Sequence, residues 1–285
     1  MIICYMIDIW SSNFMGKIKP EYGITSNDID YVRFGSGQKE MIIFWGGPGN
    51  ILPRGFIFGQ FTKGFQTFCE AFTISIVSRK RNLTRGYTTE KMSDDYAEMI
   101  KSDFDGHVDI IIGYSYGGMI AQHFGADHPD LVDKIIFLGA THKTTEEGEE
   151  LDTKFAEFLS EGKKARAFVA IAGAISPPGF ARFMMKALLF LIGPFIPLPK
   201  YKSFSQDVII ENNAALAHDS FSKLSEITIP TLILVGDKDF YFTTESAKEF
   251  DQLLPNSKLK IFEDCGHSVN EQPNFPMIVR EFVES

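Results

Sequence analysis

Two spacings of apolar residues organise this chain of 285 residues. Short β-branched runs predict strands at Ile29 to Phe34, Met41 to Trp45, Phe72 to Ser78, Val108 to Ile112, Lys134 to Leu138, Thr231 to Val235 and Leu259 to Phe262. The run Val108 to Ile112 is apolar at almost every position, as in a strand buried on both faces. Between these runs the spacing becomes helical. Tyr96, Met99 and Ile100 share one face of a helix over Ser93 to Lys101. Further helices are expected from Gly117 to Ala126, with Pro129 just past the end, from Thr244 to Leu254, and from Phe275 onward.

Strands alternating with helices imply an α/β fold with a mostly parallel sheet covered on both faces. The alternation stops between Thr141 and Ser225, where helical patterns occur without a convincing strand. The reading that follows is a core of residues 1–140 and 226–285, with a helical cap of residues 141–225 inserted over the sheet's carboxyl edge. No internal repeat or low-complexity segment is visible.

Composition narrows the function classes. With 28 basic and 37 acidic side chains the formal net charge is -9, which disfavours a nucleic-acid partner. The densest basic cluster, Arg79-Lys80-Arg81, is too short to reverse this. Cys4, Cys69 and Cys265 match neither a zinc site nor a disulfide framework, so a reducing cytoplasm is expected. Met1 to Trp10 is apolar but carries Asp8 and lacks a basic start, which argues against a signal peptide. No apolar stretch is long enough to predict a spanning helix.

The sharpest chemical signal is Gly113-Tyr114-Ser115-Tyr116-Gly117-Gly118, between a buried strand and a helix. There a serine sits on a sharp turn with its hydroxyl clear of the sheet, and the flanking glycines admit chain that passes too close for a Cβ. A serine needs a base. Of six histidines, His267 alone follows the last strand in a loop before the final helix, on the edge where Ser115 emerges. His107, His123, His128, His142 and His218 read as structural or surface residues. An acid must orient the imidazole. Asp239, in Gly236-Asp237-Lys238-Asp239, lies far enough along its loop to reach His267; Asp237 is the alternative and could instead cap the turn. Gly46-Gly47-Pro48-Gly49 follows a strand and suits an oxyanion loop. The backbone N–H groups of Gly47 and Tyr116 are the expected donors, with Trp45 and Tyr114 beside them expected to meet substrate.

With these motifs in this order, the chain from about Ile29 onward resembles the α/β-hydrolase superfamily with a lid between Thr141 and about Ser225. The resemblance implies an eight-stranded sheet with one antiparallel strand near its start, and no metal or cofactor. Two departures stand out. Trp45 occupies a position where many relatives have histidine. The Gly-Gly-Pro-Gly string resembles proline iminopeptidases, yet Ser115 is flanked by tyrosines rather than by their usual tryptophan, which ranks peptidase below esterase. The expected activity is hydrolysis of an ester, thioester or lactone of an apolar acyl substrate. The alternatives are a proline iminopeptidase-like peptidase, a carbon–carbon bond hydrolase, or a ligand-binding relative without turnover.

The cap also contains Phe183 to Ile192, apolar at nearly every position but for Lys186. Either this helix packs on the core and roofs the pocket, or it meets an acyl chain or a membrane surface.

Overall fold

The computed structural model describes residues 19–47, 49–172 and 179–285. Met1 to Trp10 and Cys4 therefore lie outside the described residues, as does Pro48. Eight strands form one sheet in the order β1-β2-β4-β3-β5-β6-β7-β8. They are β1 (Glu21–Ile24), β2 (Ile29–Gly35), β3 (Lys39–Phe44), β4 (Phe72–Lys80), β5 (Val108–Tyr114), β6 (Val132–Leu138), β7 (Thr231–Gly236) and β8 (Ser257–Phe262). Strand β2 runs antiparallel to both neighbours, and the pairs from β4 to β8 are parallel. The one antiparallel strand near the start is thus present. Strand β1 was not legible in the sequence, because four residues at a sheet edge show too little alternation.

The period-two pattern sorts side chains onto two layers. On one face Ile42, Phe44, Ile111, Ile135 and Phe137 pack with α2 (Thr89–Asp103), α3 (Tyr116–Asp127) and α8 (Thr244–Leu253). On the other, Met41, Ile43, Ile110, Ile112 and Ile136 pack with α1 (Gly55–Thr62) and α9 (Phe275–Glu284). Tyr96, Met99 and Ile100 are fully buried, as their shared face requires. Thr88 and Thr243 cap α2 and α8 by accepting hydrogen bonds from the N–H groups of Lys91 (3.2 Å) and Ser246 (3.1 Å).

Between β6 and β7 come α4 (Glu146–Ser160), α5 (Lys164–Ala170), α6 (Phe180–Ile192) and α7 (Phe204–Leu216). They have their own apolar cluster, built on Phe155, Leu159, Phe168, Leu189 and Val208. It is separate from the two clusters that flank the sheet.

Candidate active site

In a parallel sheet the loops after the strands gather at the carboxyl edge. Here the ends of β3, β5, β7 and β8 bring Trp45 to Gly47, Ser115, Asp239 and His267 around one cleft of about 1260 Å³. Every site residue singled out from the sequence lines this cleft: Ser115, Asp239, His267, Gly47, Tyr116, Trp45 and Tyr114. None of the other five histidines does.

Ser115 has φ 52° and ψ −119°, a conformation that a side chain rarely tolerates. Packing forces it. A Cβ on Gly117 would overlap the carbonyl oxygen of Phe44, and one on Gly113 would come within 2.7 Å of the Gly118 Cα. The turn is tied by the N–H of Ser115 donating to the Leu138 carbonyl (3.0 Å) and that of Gly118 to the Ser115 carbonyl (2.8 Å). Helix α3 begins at Tyr116, so the first N–H groups of a twelve-residue helix open beside Ser115.

His267 Nδ1 lies 2.9 Å from Asp239 Oδ2. The other oxygen of Asp239 accepts from the N–H groups of Tyr241 (2.8 Å) and Phe242 (3.3 Å). The Asp239 side chain is fully buried, which fixes the carboxylate. Asp237 does something else: its Oδ1 accepts from the Cys265 N–H at 3.1 Å and so ties the two loops together. Of the two aspartates weighed from the sequence, Asp239 makes the histidine bond. That bond makes Nδ1 the protonated nitrogen and leaves the Nε2 lone pair for a proton. The ring stacks on Phe242 (centroids 6.0 Å apart) and touches Tyr114 and Tyr241. Burial pulls the imidazole pKa down, but Asp239, its hydrogen bond and Asp152 outweigh this and hold it above 6.5. Ser115 and His267 make no hydrogen bond to each other; the contacts of a catalytic serine and its base often tighten only in the substrate complex.

The profile of the Alpha/beta hydrolase family matches residues 49–275, most of the chain. The chain belongs to the alpha/beta hydrolase family. It is accordingly an enzyme of the hydrolase class. Over 207 residues (70% of this chain and 74% of the relative) it is 29% identical to a putative 2-succinyl-6-hydroxy-2,4-cyclohexadiene-1-carboxylate synthase of Bacillus subtilis. Over 216 residues (67% and 72%) it is 27% identical to a proline iminopeptidase of Pestalotiopsis fici. An esterase structure from Exiguobacterium antarcticum superposes with a TM-score of 0.69 at 20% identity, covering 94% of this chain and all of that one; at this identity the likeness concerns the fold.

The cleft of this alpha/beta hydrolase also depends on residues that sequence reasoning missed. Arg79 and Glu211 form an ion pair at 2.8 Å with both side chains fully buried. The guanidinium donates to the carbonyls of Trp45 (2.7 Å), Gly47 (2.6 Å) and Gly49 (3.0 Å). Glu211 accepts from the Gly49 N–H at 2.5 Å. The glycine loop is therefore gripped from both sides, and one grip comes from α7. Gly47 lines the cleft at φ 71°, with open space where a Cβ would stand. The side chain of Tyr116 points away, donating to the Glu211 carbonyl at 2.9 Å.

Sequence reading treated Arg79 as part of a short basic cluster. All three members are paired: Lys80 lies 3.1 Å from Asp95, and Arg81 2.5 Å from Asp30. The available signal was the string of polar residues Asp207, Glu211 and Asn212 inside the buried stretch of α7. Asp152 on α4 was also missed. It lines the cleft and accepts from the Tyr241 hydroxyl at 2.9 Å. Burial pushes its carboxyl up to about 6, against the lowering pull of Tyr241 and His267.

Glu90, His123 and Asp127 form the one metal-compatible group among the described residues, with ligand atoms within 4.8 Å of one another. Lys223 already bridges its two carboxylates at 2.5 and 2.7 Å, and the group lies away from the cleft. Among the described residues no helix is long and apolar enough to cross a membrane.

Proposed function

We propose that this enzyme cleaves carboxylic esters of apolar acyl groups through Ser115, His267 and Asp239. The observation that carries the reading is the 2.9 Å bond from His267 to a buried Asp239, facing a serine on a strained turn in the same cleft. Ser115 attacks the carbonyl while Nε2 of His267 takes its proton. The N–H groups of Gly47 and Tyr116 receive the oxyanion, the latter at the positive end of α3. His267 then protonates the leaving alcohol and activates water to release the acid. Residues 141–225 act as the cap over a core of 1–140 and 226–285, a division supported by the cap's own apolar cluster. The acyl group lies against Trp45, Phe61, Tyr114 and Phe168, a lining that suits an apolar chain. The free thiols of Cys69 and Cys265 support a reducing, cytoplasmic setting.

A second reading, a peptidase acting at a free amino terminus, is favoured by the iminopeptidase relative and by Glu147, Glu149 and Asp152 in the cleft lining, acids that could hold an amine. One assay separates the readings: p-nitrophenyl esters from acetate to palmitate beside prolyl-arylamides, each with wild type and Ser115→Ala. Ser115-dependent ester turnover with little arylamide cleavage is expected. Preference for the arylamide would install the peptidase. Stoichiometric ligand retention without turnover on either would point to a binding protein.

A further inference from the structure

Helix α6 is apolar at every position but Arg182 and Lys186, yet only one stripe is covered. Arg182, Met185 and Leu189 lie on the inward side, against the rest of the cap. On the opposite side Phe180, Phe183, Leu188 and Leu191 are exposed, with Phe195 just beyond at 83%. Of fourteen strongly exposed large apolar side chains among the described residues, eight fall between 180 and 195, so this is one surface rather than scattered exceptions. At thirteen residues the helix is about 20 Å long, too short to span a bilayer but long enough to lie on one.

Charge identifies what this surface meets. From Gly162 to Ser203 the chain carries seven basic residues and no acidic one, within a protein of net charge -9. Lys164 and Arg166 sit at the start of α5, which packs beside α6; the Lys164 ammonium donates to the Pro194 carbonyl at 3.2 Å, while Lys163 just before them is paired with Glu161 at 2.6 Å. Lys186 flanks the apolar side of α6, and Lys200 and Lys202 follow it; all three are exposed. A second copy of the chain would bring this basic rim against itself, which like-charge repulsion opposes. An anionic bilayer satisfies both parts: its acyl region takes the apolar side chains and its head groups take the ammonium and guanidinium groups.

We propose that the exposed face of α6, with the basic rim from α5 and from Lys200 and Lys202, is a docking surface for anionic lipid bilayers. Arg182, on the inward side of the same helix, lines the cleft, so the docking surface and the cleft share α6. The surface does not depend on the catalytic reading, and its test is independent of turnover.

The full-length chain is sedimented with vesicles of phosphatidylcholine alone and of phosphatidylcholine with phosphatidylglycerol. Wild type and Ser115→Ala should both bind the phosphatidylglycerol vesicles at least tenfold more tightly than phosphatidylcholine alone, and salt should weaken that binding. Phe183→Ser/Leu191→Ser should lose at least tenfold, and Arg166→Glu/Lys186→Glu should fall to the phosphatidylcholine level. Both double variants should keep the far-ultraviolet circular dichroism of wild type and a cooperative thermal unfolding transition, which shows that they fold. Absence of vesicle binding would overturn the proposal, as would binding indifferent to both double variants. So would a dimer, seen by light scattering, that Phe183→Ser/Leu191→Ser dissolves while vesicles remain unbound.

Discussion

The floor and the roof of the cleft are built on opposite principles. The floor is the carboxyl edge of the sheet, where Gly113, Gly117 and Gly118 leave no room for a Cβ and Ser115 is held in a strained conformation. Its glycine loop is fastened by a fully buried ion pair. The roof contains a helix that leaves most of its large apolar side chains in solvent. Burial on the floor sets geometry to within a hydrogen bond. Exposure on the roof leaves a face for something else to cover. The two meet at Glu211, where α7, one of the helices between β6 and β7, grips Arg79 and Gly49.

This contrast predicts a steep gradient of mutational effects. Asp239→Asn removes the charge that orients His267 and should lower kcat about 10⁴-fold, whereas Asp237→Asn should leave turnover within about tenfold. Steady-state kinetics on a p-nitrophenyl ester checks this, and the reverse order would exchange the two roles. Glu211→Gln leaves Arg79 charged and uncompensated in the interior, and should cost about 3–5 kcal/mol in urea unfolding. Replacing both partners, as in Arg79→Met/Glu211→Leu, should recover much of that stability. It should still lose about 10- to 100-fold in kcat, because the carbonyls of Trp45, Gly47 and Gly49 lose their donor. Full activity in the stable double variant would show that the pair merely supports the fold.

The pH profile sharpens the same comparison, because Asp152 of the roof faces His267 of the floor. A general base must be neutral. Asp239 and Asp152 favour the charged imidazolium, so kcat/KM should fall as pH drops through a value above 6.5. Asp152→Asn removes one favourable charge, so the acid limb should move to lower pH by a fraction of a unit. Burial raises the Asp152 carboxyl to about 6 and its charge acts on His267, so the two titrations are coupled and the wild-type limb belongs to the pair. An unmoved limb would disconnect roof from floor. The smallest effect is expected on the exposed face of α6, where Phe183→Ser should change unfolding stability by no more than about 0.5 kcal/mol.

The same gradient explains what the sequence revealed. Elements with both faces buried repeat apolar residues with a clear period, so β5, α3 and the elbow between them were legible to within about two residues. The His267 loop was legible from its position after the last strand, and it lines the same cleft as Ser115. Edge strand β1 and helix α1 lacked a period strong enough to see. Arg79 and Glu211 were hidden for a different reason: 132 positions separate them, and nothing local marks a charge as destined for burial. Asp152 looked like any charge on an amphipathic helix until the fold placed it over His267. The apolar run of α6 was visible, but periodicity could not tell a packed face from an exposed one.

The most direct test of the central claim is covalent. The chain would be treated with a fluorophosphonate at neutral pH and digested, and the peptides weighed. The account predicts one stoichiometric adduct on the peptide carrying Ser115, formed at least a hundredfold more slowly in His267→Ala and absent in Ser115→Ala. An adduct on another serine, or labelling at an equal rate without His267, would contradict it.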